Sequence, residues 1–543
     1  MRLNPQQVFS EYTEARDFKT ALGNRGLYEQ NRINERFYIG DQWHGAKCGN
    51  ERPLVRHNII KRIGDYKMSQ VMGNPLTVSF SADGVPNIIG CKQSLKLKKS
   101  DISKDAGFSF SGSIDNQEVN LVMSALSDYR NVTAERVGFD ALSEKALRNA
   151  YITGSAVFYT YWDPDISTGL YADDSRNIAI KGDINCEVLD IENVYFGDPY
   201  NDDVQTQPYI IIASHRSSEE VKREALRFGS GREAVGIIDE NSEDGKILVL
   251  TRLYKEYNSD GNYTIKCVKA IRGAFVRREF DTGLRLYPIA LFNWERRNNL
   301  VYGESEITYL IPNQIAINRM ITANVWSAMA MGMPMMIVNG DTVTDGITND
   351  PGQIIKVFGS NEDVSGAVKY VTPPPFGENF NTSINSLIEN TLTQSGANEV
   401  ALGDSRADNA TALMTMRDAA VMPLQLIKTR YYAFVENISR IWADFWITHY
   451  GNRRIKVVDE NGIWYMPFDS DRYRELMINA KVNVGAGTVY SEAESVNVLT
   501  TLFEKGIINK RQFIKRLPDG IIPDSEGLLE AADETEDNND DRL

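Results

Sequence analysis

The sequence is poor in the side chains from which most metal sites and acid–base catalysts are built. Its 543 residues include four cysteines and four histidines. Cys48, Cys91, Cys186 and Cys267 lie far apart and none stands in a C-x-x-C pair, so neither a zinc site nor a disulfide framework is supported. They read as free thiols of a reducing compartment. His44, His57, His215 and His449 are equally scattered and offer no cluster for metal or acid–base chemistry. There is no G-x-x-x-x-G-K-[ST] phosphate loop, no H-E-x-x-H zinc motif and no G-x-S-x-G nucleophile elbow. No cofactor or metal is expected, and the chain reads as a non-enzyme. Long apolar runs are missing too. The longest, Trp326 to Val338, is about 13 residues and contains Gly332 and Pro334, whereas a membrane span needs about 20. Met1–Glu11 lacks the apolar centre of a signal peptide. A soluble, intracellular protein with no membrane partner is the expectation.

What is present is an ordinary globular composition, 42% hydrophobic and 24% charged. The length suits about three or four folding units. The net charge of −15 argues against a tight grip on nucleic acid, because phosphate binding needs concentrated Lys and Arg. It leaves room for a protein that lets DNA pass without holding it.

The pattern along the chain predicts an α+β, mainly helical fold. A helix is expected over 5–40, ending in Tyr38 and Trp43, an aromatic pair that reads as packing rather than base stacking. A second runs from Asn58 to the terminator Gly73-Asn74-Pro75, and Leu76–Phe80 alternates as a short strand. Residues 81–117 lack pattern; the basic run Lys92, Lys96, Lys98 and Lys99 reads as a solvated loop. Residues 118–153 are helical by spacing. Strands follow at Val157–Trp162, Asn185–Asp190, Tyr209–Ser214, Lys246–Tyr257, Tyr263–Arg272 and Ala274–Phe280, with turns at Asn258–Gly261 and Asp281–Gly283. One short helix, Ser217–Phe228, interrupts them, with Ser217 and Glu220 spaced as a capping box. The acidic stretch Asp198–Asp203 reads as turn chemistry, with a metal site as the lesser alternative.

Gly303 to about Val338 reads mostly as one long helix, with Pro312 placed to break its first turns. Its apolar residues cover more than one face, which suggests several neighbours. Met320, Met329, Met331, Met333, Met335 and Met336 gather at its end as adaptable core or subunit-interface filler. Residues 339–376 are glycine-rich, with strand-like Ile354–Phe358 and Val368–Val371, a small β module between two long helices. Those helices flank a polar break. Thr382–Ala397 and Thr411–Tyr450 carry helical apolar spacing, with Pro423 expected to kink or split the second. Between them lies Asn398-Glu399-Val400-Ala401-Leu402-Gly403-Asp404-Ser405-Arg406-Ala407-Asp408-Asn409. Strands are expected at Ile455–Val458, Ile463–Phe468 and Ala480–Val484, and helices at Ser491–Lys505 and Lys510–Leu517. Glu530–Asp541 is an acidic tail without an apolar anchor and reads as disordered.

This order of elements resembles the portal proteins of tailed bacteriophages, in particular those of siphophages of Gram-positive hosts. The resemblance is carried by Arg32-Ile33-Asn34-Glu35-Arg36-Phe37-Tyr38-Ile39-Gly40-Asp41-Gln42-Trp43 and Asn58-Ile59-Ile60-Lys61-Arg62-Ile63-Gly64-Asp65-Tyr66-Lys67. Phe196-Gly197-Asp198-Pro199, Tyr302-Gly303-Glu304-Ser305-Glu306 and the 398–420 junction add to it. It spans nearly the whole chain apart from 81–117 and the acidic tail. Pro423 departs from it and unsettles the course of the second helix.

The resemblance implies a ring, a dodecamer, at one capsid vertex of the virion, assembled in the host cytoplasm. Double-stranded DNA would be packaged and ejected through its axis. Its partners would be the terminase large subunit, the head–tail adaptor, and the major capsid and scaffolding proteins. By the same resemblance 1–302 is the wing, 303–338 and 377–397 are the stem helices, and 339–376 is the clip. Residues 398–410 are the tunnel loop, 411–488 the long wing helix with returning wing strands, 489–529 the crown and 530–543 the tail. The loop residues expected to line the DNA channel are Glu399, Val400, Leu402, Asp404, Ser405, Arg406, Asp408 and Asn409. Two other readings remain: a virion structural protein without DNA passage, and a metal-dependent nuclease using Asp198, Asp202 and Asp203.

Overall fold

A computed structural model describes residues 3–44, 53–73, 76–83, 116–171, 179–228, 231–257, 259, 261, 263–332, 335–338, 368–371, 378–397, 422–459, 462–474, 477–484, 489–508, 513–514 and 517. Helices α1 (Pro5–Ala21), α2 (Leu27–Ile39) and α3 (Ile59–Met72) precede strand β1 (Leu76–Asp83). Helices α4 (Asn116–Val137) and α5 (Phe139–Thr153) lead into β2 (Ser155–Tyr171), β3 (Ala179–Asp190), β4 (Val194–Phe196) and β5 (Tyr209–Ser217). Then come α6 (Ser218–Arg227), α7 (Gly231–Asn241), β6 (Lys246–Tyr257), β7 (Tyr263–Ile271), β8 (Ala274–Asp281) and β9 (Ile289–Asn293). Helix α8 (Glu306–Gly332), the strands β10 (Met335–Val338) and β11 (Val368–Val371), and helices α9 (Glu378–Gln394) and α10 (Gln425–His449) follow. The chain continues with β12 (Asn452–Asp459), β13 (Gly462–Asp469), the single turn α11 (Ser470–Tyr473), β14 (Met477–Val484) and α12 (Val489–Glu504). The fold is mixed α and β, with more of the described residues in helix than in strand.

The chain divides into two compact units. One comprises residues 1–28, 68–304 and 424–543; the other comprises 29–67 and 305–423. In the first, β4-β5-β6-β7-β8 form an antiparallel meander and β3-β2-β9 a three-stranded sheet. β1 pairs with β14 from Leu76↔Val484 to Asp83↔Met477, which ties residues some four hundred positions apart. Helix α10 runs through this unit with Phe434, Val435, Ile438, Trp442 and Trp446 buried, and Phe434 packs on Phe158 and Phe292 of the three-stranded sheet. Helices α6 and α7 cover one end of the meander through Val221, Ala225, Ala234 and Ile238 on Ile247, Val249, Ile271 and Val276.

Several elements differ from the sequence reading. The helix expected over 5–40 is two helices, because Gly23 and Gly26 take left-handed φ of 70° and 78° between them. The helix over 118–153 is likewise cut at Gly138, φ 65°. Two helices, not one, interrupt the strands. Ser217 precedes α6 but makes no side-chain cap; the Ser218 N–H donates instead to the Gly245 carbonyl at 2.9 Å. Strands β4 and β9 were not legible in the pattern. The helix expected to reach Val338 stops at Gly332, and Met335–Val338 is a strand paired with Val368–Val371. Pro312 lies inside α8, which continues through it. The strands expected at 246–257, 263–272 and 274–280 stand where the alternation placed them.

Candidate functional site

The break after residue 397 follows α9, which pairs with α8. Helix α8 is 27 residues, about 40 Å at 1.5 Å per residue. Asn313 Nδ2 donates to Thr391 Oγ1 at 3.2 Å, and Asn324 Nδ2 to Asn381 Oδ1 at 2.9 Å. The pairing runs up one helix and down the other, so α8 and α9 form an antiparallel hairpin. In the chain, the β10–β11 pair stands between them, Met335↔Val371 to Val338↔Val368. Strand-like Ile354–Phe358 lies outside the described residues.

A buried polar network fixes the first half of α8 against residues 29–67. Gln314 Oε1 accepts from the Ile59 and Ile60 N–H groups at 3.0 and 3.4 Å, satisfying the open start of α3. Its Nε2 donates to the His57 carbonyl at 2.6 Å. Asn318 Oδ1 accepts from the His57 N–H at 3.0 Å while its Nδ2 donates to Gln42 Oε1 at 2.6 Å. At the start of α8 the buried pair Lys67 Nζ–Glu306 Oε1 closes at 2.6 Å. Tyr38, buried, donates to Asp65 Oδ1 at 2.8 Å, and Trp43 Nε1 to the Val55 carbonyl at 3.0 Å.

The second half of α8 is covered less. Ile317 is buried, whereas Trp326 and Met329 are exposed, as is Tyr309 nearer its start. Met320 is half-buried; the side chains of Met331, Met333, Met335 and Met336 lie outside the described residues.

Helix α9 ends in a Schellman motif. The Gly396 N–H donates to the Thr393 carbonyl and the Ala397 N–H to the Leu392 carbonyl, both at 3.0 Å. Gly396 has φ 76°, and buried Ala397 and Leu392 provide the apolar pair that accompanies the motif. A Cβ built on Gly396 would sit 3.2 Å from Pro423 Cβ. The chain therefore leaves after Ala397 and returns at Pro423 beside the same point. Glu399, Val400, Leu402, Asp404, Ser405, Arg406, Asp408 and Asn409 fall in the interval 398–421, outside the described residues. Pro423 itself lies in a 3-10 turn, Met422–Leu424, from which α10 starts at Gln425. The described helix is thus the 25 residues after Pro423; the stretch expected before it, 411–421, lies outside.

The acidic stretch has a structural account. Asp198 Oδ1 accepts from the Tyr200 N–H at 3.0 Å, Asn201 Oδ1 from Asp203 N–H at 3.0 Å, and Asp203 Oδ1 from Gln205 N–H at 2.9 Å. Gln207 Nε2 donates to the Asp198 and Asn201 carbonyls at 2.9 and 2.7 Å. These are successive side-chain turns, and among the described residues no group of three His, Cys, Asp or Glu is placed to hold a metal ion. Cys186 and Cys267 are buried, and burial pushes both thiols up to about 12, which keeps them protonated. Lys92, Lys96, Lys98 and Lys99 lie outside the described residues, as do the acidic tail and most of 510–517. Among the described residues no helix is long and apolar enough to cross a membrane.

Sequence spacing could not reveal the Gln314–Asn318–His57 network or the Lys67–Glu306 pair. Each joins residues more than two hundred positions apart, and Gln, Asn and His at a helix surface look the same whether buried or not. No family model and no curated protein matches the chain.

Proposed function

We propose that this chain is the subunit of a portal-type ring through which double-stranded DNA passes, with residues 398–410 as the segment that narrows the channel. One observation carries the reading: an antiparallel pair of long helices has a β pair interposed between them in the chain, and the interval 398–421 leaves and re-enters beside the Gly396–Pro423 contact. A loop anchored at one point can project without disturbing the helices behind it. In a ring, the residues at its tip would meet their copies around the axis.

Two further properties support the reading. Tyr309, Trp326 and Met329 leave apolar surface on α8, suited to packing against neighbouring copies. Net charge is acidic, and twelve copies of a −15 chain sum to about −180. A conduit must not adsorb the polymer it transmits, since each phosphate contact adds affinity. Arg406 is the sole base among Glu399, Asp404 and Asp408 in the loop, which gives guidance without retention. The terminase motor and the head–tail adaptor would dock on the clip, residues 339–376.

Native mass spectrometry of the purified chain tests the proposal. A single closed oligomer of about twelve copies is the expected result. A monomer or dimer at every concentration and salt would contradict it, as would magnesium-dependent nicking of DNA that Asp198→Ala abolishes.

A further inference from the structure

Helix α1 packs on the five-stranded sheet, where Val8 joins Tyr195, Ile211, Ala213, Leu250, Val268 and Ala270. Two polar anchors fix it along its length. The first is Glu11, whose carboxylate accepts from Arg252 Nε and Nη2 at 2.7 and 3.2 Å. The second is Lys19, in the last turn and completely buried. Its Nζ donates to the carbonyls of Ile191, Val194 and Glu192 at 2.6, 2.7 and 3.1 Å. It also lies 3.9 Å from the centre of the Tyr195 ring.

The geometry specifies the protonation state. A neutral amine has two N–H groups, and its lone pair would then face a carbonyl oxygen. Only an ammonium can donate to three carbonyls at once. Burial pushes the Lys19 pKa well down and Glu192 pulls it back up, so the oxygen shell and the ring face must hold the charge in place. The 3-10 turn Ile191–Asn193 is what turns these carbonyls to a common point.

We propose that Ile191, Glu192, Val194 and Tyr195 form a binding cage for a primary ammonium ion. Lys19 occupies it as a tethered ligand, and α1 is a strap whose C-terminal half docks only when the cage is filled. The cage reads three N–H donors on a small cation; a cation without N–H, or an uncharged side chain of the same length, does not fit it. The proposal is independent of ring formation, since every group in it belongs to one compact unit of one chain.

Hydrogen exchange of the full chain, read on peptides from 5–21, tests it. Lys19→Met should raise exchange in the second half of α1 by about tenfold or more, as expected for loss of one charged hydrogen-bond set, with β6 and β7 unchanged. Lys19→Ala should do the same in sodium chloride. At equal ionic strength, methylammonium chloride should then restore most of its protection, while tetramethylammonium chloride should not. Wild-type protection in Lys19→Met would overturn the proposal, and so would equal protection of Lys19→Ala by the two ammonium salts. If Lys19→Ala does not fold, the Lys19→Met comparison decides alone.

Discussion

Gly154 and Gly303 show how much of this fold rests on single atoms. Gly154 has φ 88°, and a Cβ there would come within 2.7 Å of the Gly303 carbonyl oxygen; a Cβ on Gly303 would lie 2.4 Å from the Gly154 oxygen. The two backbones cross where β2 and β9 begin to pair, with Ser155 Oγ accepting from the Gly303 N–H at 2.8 Å. No flexible side chain is there to move aside. Gly154→Ala is expected to lower unfolding stability by about 1–3 kcal/mol, measured by urea denaturation. The buried Lys67–Glu306 pair gives a larger expected effect. Glu306→Gln strands the ammonium and should cost about 3–5 kcal/mol, whereas the double variant Lys67→Met with Glu306→Leu should recover most of that loss. His449 stacks on Trp162 at 5.0 Å, and burial, then the nearby Arg453, lowers its pKa from the usual 6.5. A lowered folded value means that the unfolded chain binds the proton first. The contribution of His449 is therefore complete above about 6.5 and is lost as pH falls from there through the folded value. Melting temperature should fall as pH is lowered through that window, and His449→Phe should flatten the dependence. Of these residues the sequence showed only the turn chemistry of Asp198–Asp203, because those partners are local. Gly154 with Gly303, Lys67 with Glu306, and His449 with Trp162 are brought together by the fold, and no spacing announces them.

At the scale of elements, alternation and hairpin turns located β5 to β8 of the meander, since a strand's period of two and its flanking turns are local properties. Gly23, Gly26 and Gly138 were read through because a glycine inside a helical pattern costs only about 1 kcal/mol. The end of α8 was misread for a different reason. Met335-Met336-Ile337-Val338 is a short apolar run, which periodicity cannot assign, and its pairing with Val368–Val371 is non-local. The helix before the break and the helical course from Gln425 onward were legible from spacing, but the closure at Gly396 and Pro423 was not. That closure yields a prediction. Deleting 399–408 leaves the Schellman cap and the α8–α9 contacts intact, so the melting temperature and ring assembly should stay close to those of the parent while DNA packaging falls sharply. Normal packaging by the deletion would show that the break has no part in DNA passage.

At the scale of the whole molecule, charge and exposed apolar surface pull in compatible directions. A net charge of −15 weakens adsorption to DNA, and Trp326 and Met329 are exposed on the second half of α8. The purified chain should therefore show no tight duplex binding by fluorescence anisotropy at physiological salt, even where it assembles. The mixed α and β character was readable in the pattern; the division that groups 29–67 with 305–423 was not, because it depends on which buried polar partners meet. The most direct measurement of the central claim is an averaged electron-microscopy image of the assembled particle viewed end-on. The account predicts a closed ring whose central opening admits a DNA duplex and narrows where residues 399–409 stand, so that the deletion lacking 399–408 shows a visibly wider aperture. A particle with no axial opening, or one whose aperture is unchanged by the deletion, would contradict it.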